Sequence, residues 1–181
     1  MKEFYLKNIT LHNFRRFEDT IYELNPQMNV FIGKNASGKT TVLEAVTVVL
    51  GAYLSSFKQY VPSRFVQNIS DRDVMRKSLQ AMKNVATTSG VPQYPCVVES
   101  EVAFDGKVAE CKRSLEKEGG RTKSLGKNVL REVVSEWEEA IKAADGSDMQ
   151  QIYPLILYLS SARLWNENRI GEIDKIPSRT D

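Results

Sequence analysis

Eight consecutive residues, Gly33-Lys34-Asn35-Ala36-Ser37-Gly38-Lys39-Thr40, fit the spacing G-x-x-x-x-G-K-[ST] at every fixed position. Glycines at the fixed positions let the chain curl so tightly that successive main-chain N–H groups point into one concavity, where they bind phosphate oxygens. The helix that follows the loop aims the positive end of its dipole at the same anion. In that geometry Lys39 faces the β- and γ-phosphates and the Thr40 hydroxyl ligates Mg²⁺. Thr41 reaches the α-phosphate, and Asn35 either senses the γ-phosphate or shapes the turn. Ala36 is expected to adopt a negative φ, because a Cβ is strained on the other side.

Such a loop works only between a strand and a helix, and the flanking sequence offers both. Residues 28–32 (Met-Asn-Val-Phe-Ile) form a short β-type run that ends in Gly33. Residues 40–52 are apolar nearly all round, as in a helix buried against a sheet. Upstream, residues 4–14 read as a strand and 20–24 as its antiparallel partner, before Asn25-Pro26 breaks the pattern. Residues 55–95 read as mobile loop and short helix. Arg72, Arg76, Lys77 and Lys83 are scattered there as a solvated face, without the interleaved aromatics of a base-stacking surface.

Residues 96–115 read as a β-hairpin turning at Asp105-Gly106, with Phe104 opposite Lys107. Cys96, Val98, Val102, Phe104, Ala109 and Leu115 then share an apolar face, and Glu101 stands opposite Glu110. The two cysteines, Cys96 and Cys111, lie four positions out of register, which disfavours a disulfide and leaves two reduced core thiols. Residues 127–144 read as an amphipathic helix with Leu130, Val133, Val134, Trp137 and Ile141 on one face. The continuous apolar run 155–159 reads as a buried strand.

Composition narrows the class. The chain has 181 residues, 41% hydrophobic and 27% charged, with a net charge of +2. That is one globular domain with no global field to draw in DNA or membrane. No apolar run suffices for a membrane span and the start lacks a signal-peptide h-region, so a cytoplasmic location is expected. A single histidine, His12, leaves neither a zinc ligand set nor a Ser-His-Asp arrangement. D-x-x-G and N-K-x-D are absent, which excludes a small GTPase, and two strands before the loop argue against a nucleotide kinase.

Two stretches resemble the opening of SMC/RecF-type ATPases, a group that includes recombination-repair and antiphage-defence members. One is Ile9-Thr10-Leu11-His12-Asn13-Phe14-Arg15-Arg16-Phe17. The other runs from Asn29 through the loop to Thr41-Val42-Leu43-Glu44-Ala45. The pattern "N-F-R-x-F", then "N-h-h-h-G-x-N-G-S-G-K-[ST]", then "h-h-[DE]-A-h" covers roughly residues 6–50, with Ala36 in place of the usual glycine. Residues 153–165 more loosely resemble a later strand that runs into the Q-loop equivalent, around Ser160 to Arg163.

This resemblance implies an α/β P-loop NTPase: a partial ABC-ATPase-like head with an antiparallel β subdomain beside a P-loop strand–helix core. Residues 1–54 would hold the strands, P-loop and helix. Residues 55–95 would be mobile loop and short helices, and 96–181 the hairpin, amphipathic helix, buried strand and tail. ATP and Mg are the implied cofactors. The implied nucleotide contacts are Gly33, Asn35, Ala36, Ser37, Gly38, Lys39, Thr40 and Thr41, with Arg15 ahead of Arg16 from the preceding turn; Phe17 is expected in the core.

The Walker B strand, signature motif and switch histidine of such heads are absent, so no catalytic residue is assigned in this chain. Hydrolysis would need the C-terminal half and usually a second head, with DNA or a nuclease as further partners. A self-sufficient P-loop phosphotransferase and a non-catalytic, nucleotide-dependent interaction module are the rival readings.

Overall fold

The computed structural model describes residues 4–57, 61–78, 90–104, 106–143 and 156–159. Among the described residues there are eight strands: β1 (Phe4–Leu6), β2 (Asn8–Phe14), β3 (Phe17–Glu23), β4 (Arg76–Lys77), β5 (Val91–Pro92), β6 (Cys96–Phe104), β7 (Lys107–Leu115) and β8 (Lys123–Leu125). Two α-helices join them, α1 (Lys39–Leu54) and α2 (Lys127–Ala143). The main sheet runs β3-β2-β6-β7-β8, with β1 also bonded to β6, and every pairing is antiparallel. The strand read over residues 4–14 is divided at Lys7, where pairing along β6 slips by one residue.

The β6–β7 hairpin has the register that its Asp-Gly turn and alternation predict, from Phe104 opposite Lys107 to Cys96 opposite Leu115. Its inner face is sealed by Cys96, Val98, Val102, Phe104, Ala109, Cys111 and Leu115. Both cysteines are free, and burial pushes the Cys96 thiol up to about 12 and the Cys111 thiol to about 11. The outer face carries Glu101 opposite Glu110. A hydrogen bond with Glu99, together with that neighbour's charge, raises the Glu110 carboxyl above its usual range.

α1 lies across the inner face and buries Val42, Ala45, Val48, Val49 and Ala52 against Ile9, Leu11 and Phe14 of β2 and the hairpin. Each valine, leucine, isoleucine or phenylalanine among them contributes about 1.5–3 kcal/mol when fully buried. α2 adds Leu130, Val133 and Val134 to the same core. The side chains of Trp137 and Ile141 lie outside the described residues, as do residue 155, Lys83, and Ser160 to Arg163.

Two apolar runs differ from the sequence expectation. Residues 28–32 belong to no strand: Met28, Val30 and Ile32 are 76%, 72% and 91% exposed, while Phe31 turns inward against Tyr22. Residues 156–159 are likewise outside any strand, with Leu157 and Leu159 exposed. Residues 28–30 and 32 are exposed and only Phe31 is partly buried, and no described strand pairs with this run. A two-faced apolar strand stays buried only when flanked by neighbours.

Between α1 and the hairpin, residues 61–78 form a strap that contains two single 3₁₀ turns, Ser63–Phe65 and Asp71–Asp73. Ser70 and Asp73 make a reciprocal capping box across the second. The strap is stitched to β2 by Met75 N donating to Asn13 O at 2.8 Å and by a bridge between Phe14 and Val74. Arg113 of β7, 1% exposed, donates through Nη2 to Gln67 O at 3.2 Å and Asn68 Oδ1 at 2.5 Å. Its Nε and Nη1 meet no acceptor among the described residues, and burial lowers its pKa.

Candidate nucleotide-binding site

The glycine-rich loop is curled rather than extended. Ser37 N donates to Lys34 O at 3.2 Å, and the first bond of α1 runs from Val42 N to Gly38 O at 3.0 Å. A Cβ on Gly33 would stand 2.7 Å from Ser37 Oγ, so the absence of a side chain there lets the loop close. Gly38 has φ +100, and a Cβ on it would meet Phe17 Cζ at 2.6 Å. Two constraints therefore select glycine at position 38: the left-handed backbone and the Phe17 ring.

Ala36 departs from its sequence expectation. Its φ is +61, in the left-handed region, not negative. Closure of the loop over Lys39 requires that turn whether or not the residue is glycine, and the strain is retained at an exposed position.

The Lys39 ammonium sits at the centre of the loop and donates to Gly33 O at 2.7 Å and Lys34 O at 2.8 Å. Around it, Asn35, Ala36, Ser37, Gly38, Lys39, Thr40, Thr41 and Arg16 line one open concavity of about 380 Å³. No acidic residue occupies the first turn of α1, so the positive end of the helix dipole is left uncompensated there. Lysine, two threonines, an arginine and the residues of the loop thus line a space large enough for a polyphosphate. That donor set fits an anion.

The two arginines of the β2–β3 turn part company. Arg16 reaches the loop, its Nη1 donating to Ala36 O. Arg15 turns the other way, into a second cavity of about 450 Å³. There its Nε and Nη2 each lie 2.9 Å from Asp73 Oδ1, and its Nη1 pairs with Glu44 of α1. The structure thus gathers every expected contact around Lys39 except Arg15, which it places in an ion triad alongside. Phe17 packs edge-on against Tyr22 and under Gly38, consistent with a place in the core. Sequence reasoning passed over Asp73; the only local signal was Ser70-x-x-Asp73, which marks a helix start and says nothing of a partner 58 residues away.

A protein-family model described as an AAA domain matches residues 8–179. The chain belongs to this AAA-domain family. It is also similar to the DNA replication and repair protein RecF of Lactococcus lactis subsp. cremoris (strain MG1363), 29% identical over 161 residues, which cover 84% of this chain and 41% of that protein. RecF of Clostridium botulinum (strain ATCC 19397 / Type A) is 50% identical over 42 residues, 23% of this chain and 12% of that protein. RecF of L. lactis subsp. cremoris (strain SK11) is 51% identical over 41 residues. The AAA domain is thus an SMC/RecF-like ATPase head region with a P-loop NTPase-like fold, and the chain spans about two fifths of the length of the L. lactis MG1363 protein. Among its described residues no helix is long and apolar enough to cross a membrane.

Proposed function

We propose that this AAA domain is the ATP- and Mg-binding lobe of an SMC/RecF-like ATPase that acts in DNA repair or recombination, or in phage defence, in the cytoplasm. The observation that carries the reading is the curled loop around Lys39 at the uncompensated start of α1, with Arg16 closing one side. Gly33, Asn35, Ala36, Ser37 and Gly38 supply main-chain donors, Lys39 and Arg16 supply charge, and Thr40 and Thr41 supply hydroxyls. Mg²⁺, when bound, would neutralise phosphate charge and fix the phosphate geometry. Arg15 acts on this site through its carboxylate partners.

Hydrolysis is assigned to groups beyond these residues: a C-terminal lobe that carries the water-polarising acid, and a second head facing the nucleotide. The exposed apolar side chains Met28, Val30, Ile32, Leu157 and Leu159 support that division, because they offer a place for further strands to pair and pack. DNA and a nuclease are the partners proposed for the assembled protein.

Thermal unfolding with and without Mg-ATP tests the reading. Ligand at about 100 times its Kd adds about 2.7 kcal/mol to stability. Lys39→Ala is expected to abolish that increment. Stabilisation that survives in the variant removes the site assignment, and no stabilisation of the wild type favours a non-catalytic module whose P-loop is vestigial and serves partner binding. Robust ATP turnover by these 181 residues alone favours the self-sufficient phosphotransferase.

A further inference from the structure

The β2–β3 connection has two residues, Arg15 and Arg16, between the paired Phe14 and Phe17. In so short a turn the first residue sets the direction of the second. Arg15 has φ +53, a conformation normally left to glycine, so its local preference opposes the turn that the structure shows. Something outside the turn must hold it.

Asp73 does so at both ends of the residue. Its main-chain oxygen accepts from Arg15 N at 2.6 Å, and its Oδ1 accepts from Nε and Nη2 at 2.9 Å each. Its other carboxylate oxygen, Oδ2, is held by Ser70 N at 3.0 Å and Ser70 Oγ at 2.8 Å. The side chain is 8% exposed and fully engaged, which makes it a fixed post for Arg15. From that post Arg15 extends Nη1 to Glu44, on the α1 turn that follows Lys39 and Thr40. The adjoining residue, Arg16, meets Ala36 O at the rim of the loop.

We propose that Asp73 is a positioning residue for the phosphate loop: by gripping the main chain and guanidinium of Arg15 it holds the β2–β3 turn in its left-handed form and so aims Arg16 at the bound nucleotide. The inference rests on reading the loop as a nucleotide site. It assigns to the strap, a segment that touches no phosphate, a share of the affinity. The neutral isostere Asp73→Asn keeps the volume and removes the charge that orients the guanidinium.

The test is a double-mutant cycle on this chain, reading the Kd for Mg-ATP by fluorescence competition. Wild type, Asp73→Asn, Arg16→Ala and the double variant are compared, with unfolding midpoints measured without nucleotide. Asp73→Asn is expected to weaken binding about tenfold, the scale of one charge-assisted hydrogen bond. In the Arg16→Ala background it is expected to change the Kd less than twofold. Independent, multiplying effects overturn the proposal while leaving the nucleotide site intact. A wild type that binds no Mg-ATP overturns both. Should Asp73→Asn fail to fold, Arg15→Lys, which keeps the charge and loses the planar fork, takes its place in the cycle. The same non-additivity with Arg16→Ala is required of it, and additivity again refutes.

Discussion

Replacing Ala36 by glycine separates the conformation seen in the loop from the one the sequence suggests. Ala36 has φ +61 and an exposed side chain, so removing its methyl group opens no cavity and breaks no packing contact. Its carbonyl, which accepts from Arg16, is retained. The left-handed conformation costs a residue with a Cβ about 1–2 kcal/mol, and glycine relieves that strain. Glycine also loosens the unfolded chain, which opposes folding by about 0.4–1 kcal/mol. The balance favours the variant by about 0.5–1 kcal/mol. For a domain of this size that is an upward shift in Tm of about 1–4 °C. Urea unfolding without nucleotide, with the m-value unchanged, is the assay. Had φ been negative, only the unfolded-state term would remain and Ala36→Gly would destabilise by about 0.4–1 kcal/mol. The two geometries therefore give opposite signs, and a destabilised variant with an unchanged m-value refutes the left-handed assignment.

At Gly38 the opposite change is expected to be harmful. With φ +100 and Phe17 Cζ 2.6 Å from the added Cβ, Gly38→Ala should lose about 1–3 kcal/mol in the same assay. Arg113→Met should be neutral or stabilising in urea, because it removes a buried cation whose Nε and Nη1 have no acceptor while filling similar volume; Arg113→Ala, which leaves a cavity, should lose about 2–5 kcal/mol. Glu110 has a raised carboxyl pKa in the fold, so its protonated form is favoured there. The associated stability is present at low pH and lost as pH rises through the folded value. Glu110→Gln should accordingly raise Tm at neutral pH and make little difference near pH ~3, below the usual glutamate value of about 4.3.

What could be read along the chain was whatever depends on neighbours in sequence. The Asp105-Gly106 turn and the alternation on either side specify the β6–β7 register, because a slip of one residue would expose Val98, Val102 and Phe104. The span of α2 follows from the spacing of Leu130, Val133 and Val134, all buried as that spacing requires. Residues 28–32 and 156–159 lie outside any strand for the complementary reason. Apolar content signals a surface to be covered, but burial depends on a partner that local sequence does not supply.

For the site, the sequence by itself determined the phosphate chemistry: Gly33, Gly38, Lys39 and Thr40 at their spacing, next to a segment able to become α1, specify an anion-binding loop because curl, dipole and charge are all encoded within a few residues. Only the tertiary structure decided which arginine lies against the loop. Arg15 and Arg16 are adjacent and chemically identical, and nothing local distinguishes them. Asp73, brought back by the strap from 58 residues away, captures Arg15 and leaves Arg16 to the loop. A salt bridge is chosen by proximity in space, and proximity between distant residues exists only once the sheet, helix and strap have packed together.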